Sequence, residues 1–545
     1  MSLIFKVLCA LLALSLLAGC NQGRPGPSDS ADDTRPNILL IVADDLGYAD
    51  LGSFGSNIQT PSIDALAAQG IRFTQFHTAP YCAPTRAMLL SGNNNHVAGM
   101  ARQGRDGLLG YDVPGYENSL SDRIVPFPQL LQAAGYHTYT VGKWHLGLAD
   151  ENSPRAAGFS RAFNLLQGAG THFDDIGYSE IRSQFRLDDE LVEYPVGRYS
   201  TEVYTDQLIE FIEENRDDGK PFFAFAAYTS PHWPLQVPDD YLDLYAGDYD
   251  DGYDALRLRN FAALKKAGIV PDESELPPRN DAITPWDELS AEERRRESRK
   301  MELYAAMVDN LDDHVGRLLE YLQQNDLYDN TLIIFMSDNG AAGEDFYNEG
   351  PYSEHIQAHF DNAYEKMGTA ESFVSYDDPW AEAGSAPFMR RKGYTREGGI
   401  AAPMIVAGPG VEATGLIDRT YLTVMDLAPT FLEIAGAAYP ADGSVRPMLG
   451  ESMRAFLAGE AESVHDDDYV TTLYHSGRAY LRQGDWKIAN LEGPFSEGDF
   501  ELFNLADDPG ETTDLADSHP EKYEGMIELW REQRRELGIL LPRDL

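Results

Sequence analysis

The sequence predicts an α/β protein in which a large mixed sheet is sandwiched by helices and is followed by a smaller α+β domain. The first observation is that apolar, strand-like runs alternate with amphipathic segments along most of the chain, as they do when helices cover a sheet. The second is size, because 545 residues with 43% hydrophobic content suffice for one large core and a smaller one. The third is that this alternation weakens late in the chain, so we expect a large domain over 36–435 and a C-terminal domain over 436–545.

The first elements of the large domain follow from apolar patterning and from helix start and stop residues. Residues 37–43 form an almost continuous apolar run, which predicts a strand buried on both faces. Residues 60–69 predict a helix with Pro61 in its first turn and Gly70 as its stop. Residues 128–134 predict a second short helix, so strand and helix signals alternate from the start of this domain.

The longest helix is predicted over residues 301–323. There apolar residues recur at helical spacing, at Leu303, Met307, Leu311, Val315, Leu318 and Leu322. The preceding stretch, about 250–299, is polar, highly charged and contains proline, which indicates an insertion on the surface. In the C-terminal domain, residues 469–474 predict a short strand and residues 523–537 a final helix.

Acidic residues outnumber basic residues by a wide margin. The chain has 89 Asp and Glu against 43 Lys and Arg, a formal net charge of −46, and the acidic residues are spread along its length. Nucleic acid is therefore not an expected partner, because phosphate binding needs a basic surface. An anionic substrate would need cations at its own site to overcome this field.

Residues 1–20 predict an export leader, because their apolar run is too short to span a bilayer comfortably. The run ends in Leu-Ala-Gly-Cys20, which resembles the lipobox of bacterial lipoproteins, in which the cysteine is acylated; a plain secretory signal is the alternative. Residues 21–35 are rich in Gly, Pro, Ser and Asp and predict a flexible tether. We expect an exported lipoprotein, periplasmic or at the cell surface, held to an outer membrane by a lipid on Cys20.

Once the leader is set aside, Cys82 is the one cysteine left in the sequence. A lone thiol cannot form an internal disulfide. It opens the segment Cys82-Ala-Pro84-Thr-Arg86, in which Pro84 suits the first turn of a helix. Exposed amides and the helix dipole at such an N-terminus favour an anionic ester beside residue 82.

Four polar clusters each directly follow an apolar, strand-like run. They are Asp44-Asp45, Gly142 to His145, Ser230 to His232, and Ser337 to Gly340. Taken singly, each cluster also fits an ordinary turn or a structural histidine. Because ligands bind beyond the carboxyl ends of strands in open α/β sheets, we expect the four clusters to converge on one edge of the sheet.

The residue types in these clusters indicate metal-assisted chemistry on an anion. The oxygen donors are Asp44, Asp45, Asp338 and Asn339. Such donors suit a hard cation, Ca²⁺ or Mg²⁺, rather than structural zinc. The donors suited to an oxyanion are Arg86, Lys143, His145 and His232. The two histidines can also transfer protons near neutral pH.

Together with the cysteine segment, these residues resemble the type I, formylglycine-dependent sulfatases, most closely bacterial arylsulfatases. Residues 82–92 are similar to the family signature, Cys-x-Pro-Ser/Thr-Arg followed by an apolar turn and Thr/Ser-Gly. Further landmarks occur in the family's order at 142–147, 230–232, 392–399, 425–430 and 501–509. The pattern departs at Ala401, where the family commonly has arginine. The resemblance covers nearly all of the chain after the tether.

The resemblance implies an alkaline-phosphatase-like fold and a sulfuric ester hydrolase. A formylglycine-generating maturation enzyme would convert Cys82 to 3-oxoalanine, or formylglycine. One calcium ion per chain is implied, with the ligands Asp44, Asp45, Cys82, Asp338 and Asn339. The implied catalytic residues are Cys82, Arg86, Lys143, His145, His232 and Lys392.

The resemblance also implies a role for each catalytic residue. One hydroxyl of hydrated residue 82 attacks sulfur, with its alkoxide stabilised by Arg86 and its proton taken by Asp338. Lys143 and Lys392 hold the sulfate oxygens. His232, helped by Lys392, protonates the departing alcohol or phenol. His145 then takes a proton from the second hydroxyl, and sulfate is expelled.

The expected substrate is an aryl or small alkyl sulfate ester. A phosphonate or phosphate ester is an alternative for the same site, since related enzymes of the superfamily act on tetrahedral phosphoryl groups. A further alternative is a non-catalytic lipoprotein that binds sulfated ligands with Cys82 left unconverted. The proton-transfer groups at His145, His232 and Lys392 speak against it, because binding alone needs no general acid.

Overall fold

The structure, a computed structural model, describes residues 34–103 and 113–541. The predicted leader at 1–20, and all but the end of the predicted tether at 21–35, lie outside the described residues. Within the described ranges, no helix combines the length and the apolar content that crossing a bilayer requires.

The strands and helices are numbered in chain order over the described residues. The strands are β1 Asn37–Ala43, β2 Ile71–Phe73, β3 Phe76–His77, β4 His137–Lys143, β5 Arg161–Leu165, β6 Phe185–Leu187, β7 Glu190–Val192, β8 Phe222–Ala227, β9 Thr331–Ser337, β10 Met404–Ala407, β11 Leu416–Asp418, β12 Leu422–Thr423, β13 Val470–His475, β14 Arg478–Gln483, β15 Trp486–Ala489 and β16 Glu501–Asn504. The helices are α1 Pro61–Gln69, α2 Cys82–Ser91, α3 Phe127–Ala133, α4 Ser200–Asn215, α5 Gly252–Lys266, α6 Ala291–Gln324, α7 Ser353–His359, α8 Asp377–Gly384, α9 Glu397–Ile400, α10 Leu427–Ala435, α11 Arg454–Leu457 and α12 Pro520–Leu537.

A large mixed sheet forms the centre of the molecule. Among the described residues it has ten strands, in the order β11-β2-β10-β9-β1-β8-β4-β5-β6-β7. The strands from β9 to β5 in this order are parallel to one another, whereas β10 runs antiparallel to both of its neighbours. Helices cover both faces of this sheet, so the predicted α/β class is confirmed.

Strand β1 is buried on both faces because its alternate residues enter two different cores. Leu39 and Ile41 belong to the core that also contains apolar residues of α1, α4 and α6. Leu40 and Val42 belong to the core shared with α2, α3 and α10. Successive side chains of a strand point to opposite faces, so a strand covered on both sides must be continuously apolar.

Helix α6 begins earlier than the predicted 301–323. Ser290 and Glu293 form a capping box, in which each side chain accepts a hydrogen bond from the backbone N–H of the other, and this fixes the start at Ala291. The stretch 250–299, predicted to be a surface insertion, also contains α5, whose Leu256 and Leu264 enter the core. A few apolar residues on one face of a charged helix are enough to dock it.

The C-terminal part of the chain forms a small sheet that is covered by one helix. Strands β13 to β16 make an antiparallel sheet in sequential order, and α12 packs on it. Leu481, Ile488, Leu502 and Trp530 lie in their shared core. Strand β13 and helix α12 are the elements that the sequence predicts at 469–474 and 523–537.

Candidate active site

The four polar clusters lie at one edge of the large sheet. Strands β9, β1, β8 and β4 are adjacent and parallel, so their carboxyl ends lie side by side. Each cluster begins at or just after one of these ends. This is the convergence that the sequence predicts, and it brings together groups up to about 300 residues apart in the chain.

Cys82 is the first residue of α2, and its side chain is buried. The Thr85 hydroxyl accepts a hydrogen bond from the backbone N–H of Ala79 at 2.9 Å, which ties the helix start to the preceding loop. Burial raises the pKa of the Cys82 thiol to about 12, although Lys143 and Lys392 oppose this. The unmodified side chain is therefore a neutral thiol and a poor nucleophile.

Two buried lysine–aspartate pairs stand beside Cys82. Lys143 Nζ donates to the two carboxylate oxygens of Asp44 at 2.9 and 2.7 Å. Lys392 Nζ donates to those of Asp45 at 2.7 and 2.8 Å. Buried charges are tolerated when they are paired in this way. The same two ammonium groups are the cations that an anionic ester would meet.

Arg86 links helix α2 to the end of β9. Its Nε and Nη2 donate to Asp338 Oδ2 at 3.1 and 2.9 Å, and its Nη1 donates to the carbonyl oxygen of Lys143 at 2.8 Å. Asp338 Oδ1 accepts a longer hydrogen bond, 3.3 Å, from the backbone N–H of Asp45. One oxygen of Asp338 is thus committed to Arg86.

The acidic side chains form a group suited to a cation. Ligand atoms of Asp44, Asp45, Cys82 and His232 all lie within 4.8 Å of one another. Asn339 Nδ2 donates to Asp45 Oδ1 at 2.6 Å, whereas Asn339 Oδ1 has no hydrogen-bond partner among the described residues. An unpartnered buried oxygen beside two carboxylates fits a hard divalent cation such as calcium.

Two members of the predicted site differ in detail from the sequence-based assignment. His232 lies in the compact ligand group, although the sequence predicted it as an oxyanion donor and a proton-transfer group and not as a ligand. Asp338, predicted as a ligand, is not among those four; one of its oxygens pairs with Arg86. Ala401 is buried and pairs with His77 across an isolated bridge, and it is not among the residues that line the cleft described below.

His145 is held in a left-handed backbone conformation, with φ of 60°. Its ring packs so closely on Gly168 that a Cβ at position 168 would approach ring atom Cε1 to 2.2 Å. Burial lowers the pKa of His145 well below its usual value, and the cations Lys143 and Arg86 add to this effect. The ring is therefore neutral, and its Nδ1 has no hydrogen-bond partner among the described residues.

His232 is oriented by its own neighbour. Its Nδ1 donates to the carbonyl oxygen of Trp233 at 2.7 Å, and its Nε2 lies 3.3 Å from Asp45 Oδ2. Burial lowers the pKa of His232 well below its usual value, an effect that Asp45 opposes and Lys392 reinforces. Since Nδ1 carries the proton of the neutral ring, Nε2 is the atom that exchanges protons.

A cleft of about 390 Å³ opens over these groups and is lined by His145, His232 and Lys392 among others. Sequence reasoning missed its aromatic lining, which comprises Tyr81, Tyr178, Trp233, Phe346 and Tyr352. These residues share no motif, so no sequence signal groups them.

A second cavity, about 290 Å³, lies between Tyr48 and Arg482 and contains none of the predicted site residues.

An anionic ester is the substrate that this arrangement suits, because buried ammonium groups and a hard-cation site meet where two neutral histidines can transfer protons. The fold and the site thus define a hydrolase of anionic esters, of the α/β class. The family model for sulfatases matches residues 36–437, well over half of the chain. The chain belongs to the sulfatase family, and it is a sulfatase enzyme.

Individual relatives agree with this membership. The chain is 37% identical over 542 residues to an uncharacterized sulfatase of Schizosaccharomyces pombe, a match that covers 94% of this chain and 96% of the relative. It is 38% identical over 451 residues to an arylsulfatase of Klebsiella aerogenes, covering 80% of this chain and 95% of the relative.

Solved structures share the fold. Ps i-CgsB, crystallised in complex with k-i-k-neocarrahexaose, superposes with a TM-score of 0.65 at 26% identity, over 92% of this chain and 93% of that chain. A putative sulfatase from Bacteroides fragilis gives a TM-score of 0.62 at 20% identity, over 95% of this chain and 98% of that chain, a likeness of fold alone. The alkaline-phosphatase-like fold expected from the sequence is therefore confirmed.

Proposed function

We propose that this sulfatase hydrolyses aryl or small alkyl sulfate esters, using a formylglycine formed from Cys82 and one bound calcium ion. The observation that carries the proposal is the place of Cys82, buried at the start of α2 with its Sγ in the same 4.8 Å group as Asp44, Asp45 and His232. Because burial keeps the thiol neutral, the site lacks a ready nucleophile until residue 82 is converted. The 38% identity to an arylsulfatase supports the aryl class.

The calcium ligands in this proposal are Asp44, Asp45, Asp338, Asn339 and the converted residue 82. When bound, the ion supplies a Lewis acid that withdraws negative charge from the sulfate oxygens. Lys143 and Lys392, which pair with Asp44 and Asp45 in the structure, then have ammonium N–H groups to donate to the same sulfate. The buried site thus meets a dispersed negative charge with several fixed positive groups.

The remaining residues handle charge and protons. Asp338 accepts the proton of the attacking hydroxyl of residue 82, and Arg86, paired with Asp338, stabilises the negative charge that develops on that oxygen. His232 Nε2 transfers a proton to the leaving oxygen, since an anionic ester in the site raises the pKa of His232 from its lowered value. His145, neutral in the structure, accepts a proton as sulfate is released.

The test is peptide mass spectrometry across residues 73–86, on protein from a host that carries the maturation enzyme, together with turnover of 4-nitrophenyl sulfate. We expect an aldehyde at residue 82 and hydrolysis of the ester. Cys82→Ala should lose turnover by about a thousandfold or more, because it removes the nucleophile. Its urea unfolding midpoint should stay close to that of the parent.

Cys82→Ser is the matched control, because it offers one hydroxyl at the same place. A single hydroxyl can be sulfated but cannot expel sulfate through a second one, so steady turnover should also be lost. Undiminished turnover in either variant, or in parent protein that carries an unmodified thiol, would contradict the formylglycine mechanism.

A further inference from the structure

One side of the cleft is a wall of four aromatic rings. Neighbouring ring centroids are 5.9 Å apart for Tyr178 and Trp233, 4.8 Å for Trp233 and Phe346, 5.9 Å for Phe346 and Tyr352, and 5.0 Å for Tyr352 and Tyr178. The four contacts close a cycle of edge-to-face pairs, a preferred geometry for aromatic rings. Such spacing leaves no gap between the rings, so a ligand lies against this aromatic wall and not inside it.

The apolar surface of the cleft extends beyond the wall. Leu148, which also lines the cleft, is 47% exposed. Trp233 is only 7% exposed, and its indole N–H has no hydrogen-bond partner among the described residues. Trp233 therefore backs the wall. The half-buried rings of Tyr178, Phe346 and Tyr352 are the ones that a flat, largely apolar leaving group would cover, since aromatic rings pack favourably on one another.

Glu344 is the acidic group of this cleft. Its side chain lines the cleft and is 25% exposed. Arg391 lies beside it, with Nη1 3.8 Å from Glu344 Oε1 and with Nη2 already bound to Asp378. Glu344 Oε2 has no hydrogen-bond partner among the described residues. The carboxylate is therefore incompletely compensated by the protein.

The two ionic side chains that line the cleft interact electrostatically but have different ion-pair partners. Among the described residues that line the cleft, Lys392 supplies an ammonium group and Glu344 a carboxylate. Lys392 is bound to Asp45 in the reacting centre, where the sulfate belongs. Among the described lining residues, the carboxylate left to face the leaving group is thus that of Glu344, and the net charge of −46 for the whole chain is also negative.

We propose, resting on the sulfate ester hydrolysis proposed above, that Glu344 determines leaving-group specificity. The cleft takes a flat aromatic leaving group that carries a cationic or hydrogen-bond-donating substituent, and it discriminates against one that carries a second anion. The aromatic wall packs against the ring of the leaving group. The Glu344 carboxylate attracts a cationic substituent on that ring and repels an anionic one.

The experiment compares three esters on the converted enzyme at pH 7: phenyl sulfate, 4-(aminomethyl)phenyl sulfate and 4-carboxyphenyl sulfate. The three esters differ in intrinsic reactivity, so the kcat/KM of each ester is divided by its value in Glu344→Gln, which keeps the shape of the side chain but removes its charge. We expect this quotient to fall from the cationic to the neutral to the anionic ester. The ratio of cationic to anionic kcat/KM should drop about tenfold in this variant, as expected for partly screened charges about 6 Å apart.

Further measurements separate this role from a structural one. Glu344→Lys should reverse the order of the cationic and anionic esters, whereas Glu349→Gln, at an exposed position nearby, should leave the ratio unchanged. Inhibition by 4-(aminomethyl)phenol should be stronger than inhibition by 4-hydroxybenzoate in the parent enzyme and similar in Glu344→Gln.

The outcomes distinguish the two proposals. If all three esters are hydrolysed with the same ratio in the parent and in Glu344→Gln, the specificity role of Glu344 is wrong and the sulfatase function stands. If the converted enzyme hydrolyses none of the three, the proposed aryl sulfate function is wrong, and the assignment of Glu344 is wrong with it.

Discussion

Asn339 lies in a Ser-Asp-Asn-Gly sequence that is ordinary turn chemistry, yet its surroundings orient the amide for a ligand. Its Nδ2 donates to Asp45 Oδ1 at 2.6 Å and to the carbonyl oxygen of Gly340 at 2.9 Å, which fixes which way the amide faces. Its Oδ1 is left buried without a partner among the described residues. Leaving such an acceptor unsatisfied costs about 1–3 kcal/mol, and coordination to a cation would remove that cost.

Asn339→Ala is therefore predicted to weaken calcium binding by about 10–100-fold. The measurement is isothermal titration calorimetry on protein with unconverted Cys82, so that binding is observed apart from turnover. Calcium at about one hundred times its dissociation constant should stabilise the parent by about 2.7 kcal/mol against urea, and the same concentration should stabilise the variant less.

The control for this prediction is Asp467→Asn, in the exposed acidic run 466–468. Three consecutive exposed carboxylates are a suitable site for weak, nonspecific calcium binding. If Asp467→Asn weakened calcium binding and Asn339→Ala did not, the proposed calcium site would be wrong.

At the scale of elements, a buried ion network joins the C-terminal sheet to the catalytic domain. Lys487 on β15 places Nζ 2.7 Å from Glu397 Oε1, at the start of α9, and 2.9 Å from Glu511 Oε1. Glu397 Oε2 is also 2.6 Å from His77 Nε2 on β3. Burial opposes ionisation of Glu397, but Lys487 and His77 outweigh it and hold its pKa below the usual range. Because α9 closely follows Lys392, the network anchors the segment that carries this active-site lysine.

Lys487→Met is predicted to lower the free energy of unfolding by about 3–5 kcal/mol, because two buried carboxylates lose their shared cation. The measurement is urea denaturation followed by circular dichroism at pH 7. The exposed substitution Lys266→Met serves as the matched control and should change stability by less than about 0.5 kcal/mol. Equal, small effects of the two substitutions would show that the network does not join these elements energetically.

At the scale of the whole molecule, folding buries histidines in a neutral state at several places outside the catalytic cluster. Burial lowers the pKa of His96 and His475 to about 3 and that of His172 and His314 to about 4. Their model-peptide value is 6.5. Below pH 6.5 the unfolded chain binds protons at these positions that the folded chain does not bind. These histidines therefore destabilise the fold progressively as the pH falls from 6.5 toward 4.

His314→Gln is predicted to make the loss of stability on acidification less steep. Each proton of difference contributes about 1.4 kcal/mol per pH unit, so the slope near pH 5 should fall by about that amount. Glutamine keeps an acceptor for Arg317 Nη1, which lies 2.9 Å from His314 Nδ1. The measurement is the free energy of unfolding in urea from pH 4.5 to 7.5. The exposed His359→Gln should leave the slope unchanged, and an unchanged slope in His314→Gln would contradict the prediction.

Much of the framework could be predicted because its signals are local. The apolar run of β1 predicts burial on both faces, and Pro84 predicts the first turn of α2. The polar residues that follow each strand predict the edge of the sheet where the site lies. These patterns depend on backbone preference and side-chain periodicity, which neighbouring residues in the chain express together. Residue types in turn indicated the cation class, because ligand preference is a property of the donor atoms.

The sequence by itself determined the fold class, the edge where the site lies and the family of chemistry. The tertiary structure alone decided that Arg86 holds Asp338, that Lys487 bridges Glu397 and Glu511, and that rings from positions 178, 233, 346 and 352 form one wall beside Glu344. The physical reason is distance along the chain. Partners far apart in sequence are chosen by how strands, helices and loops pack, and no local pattern records that choice.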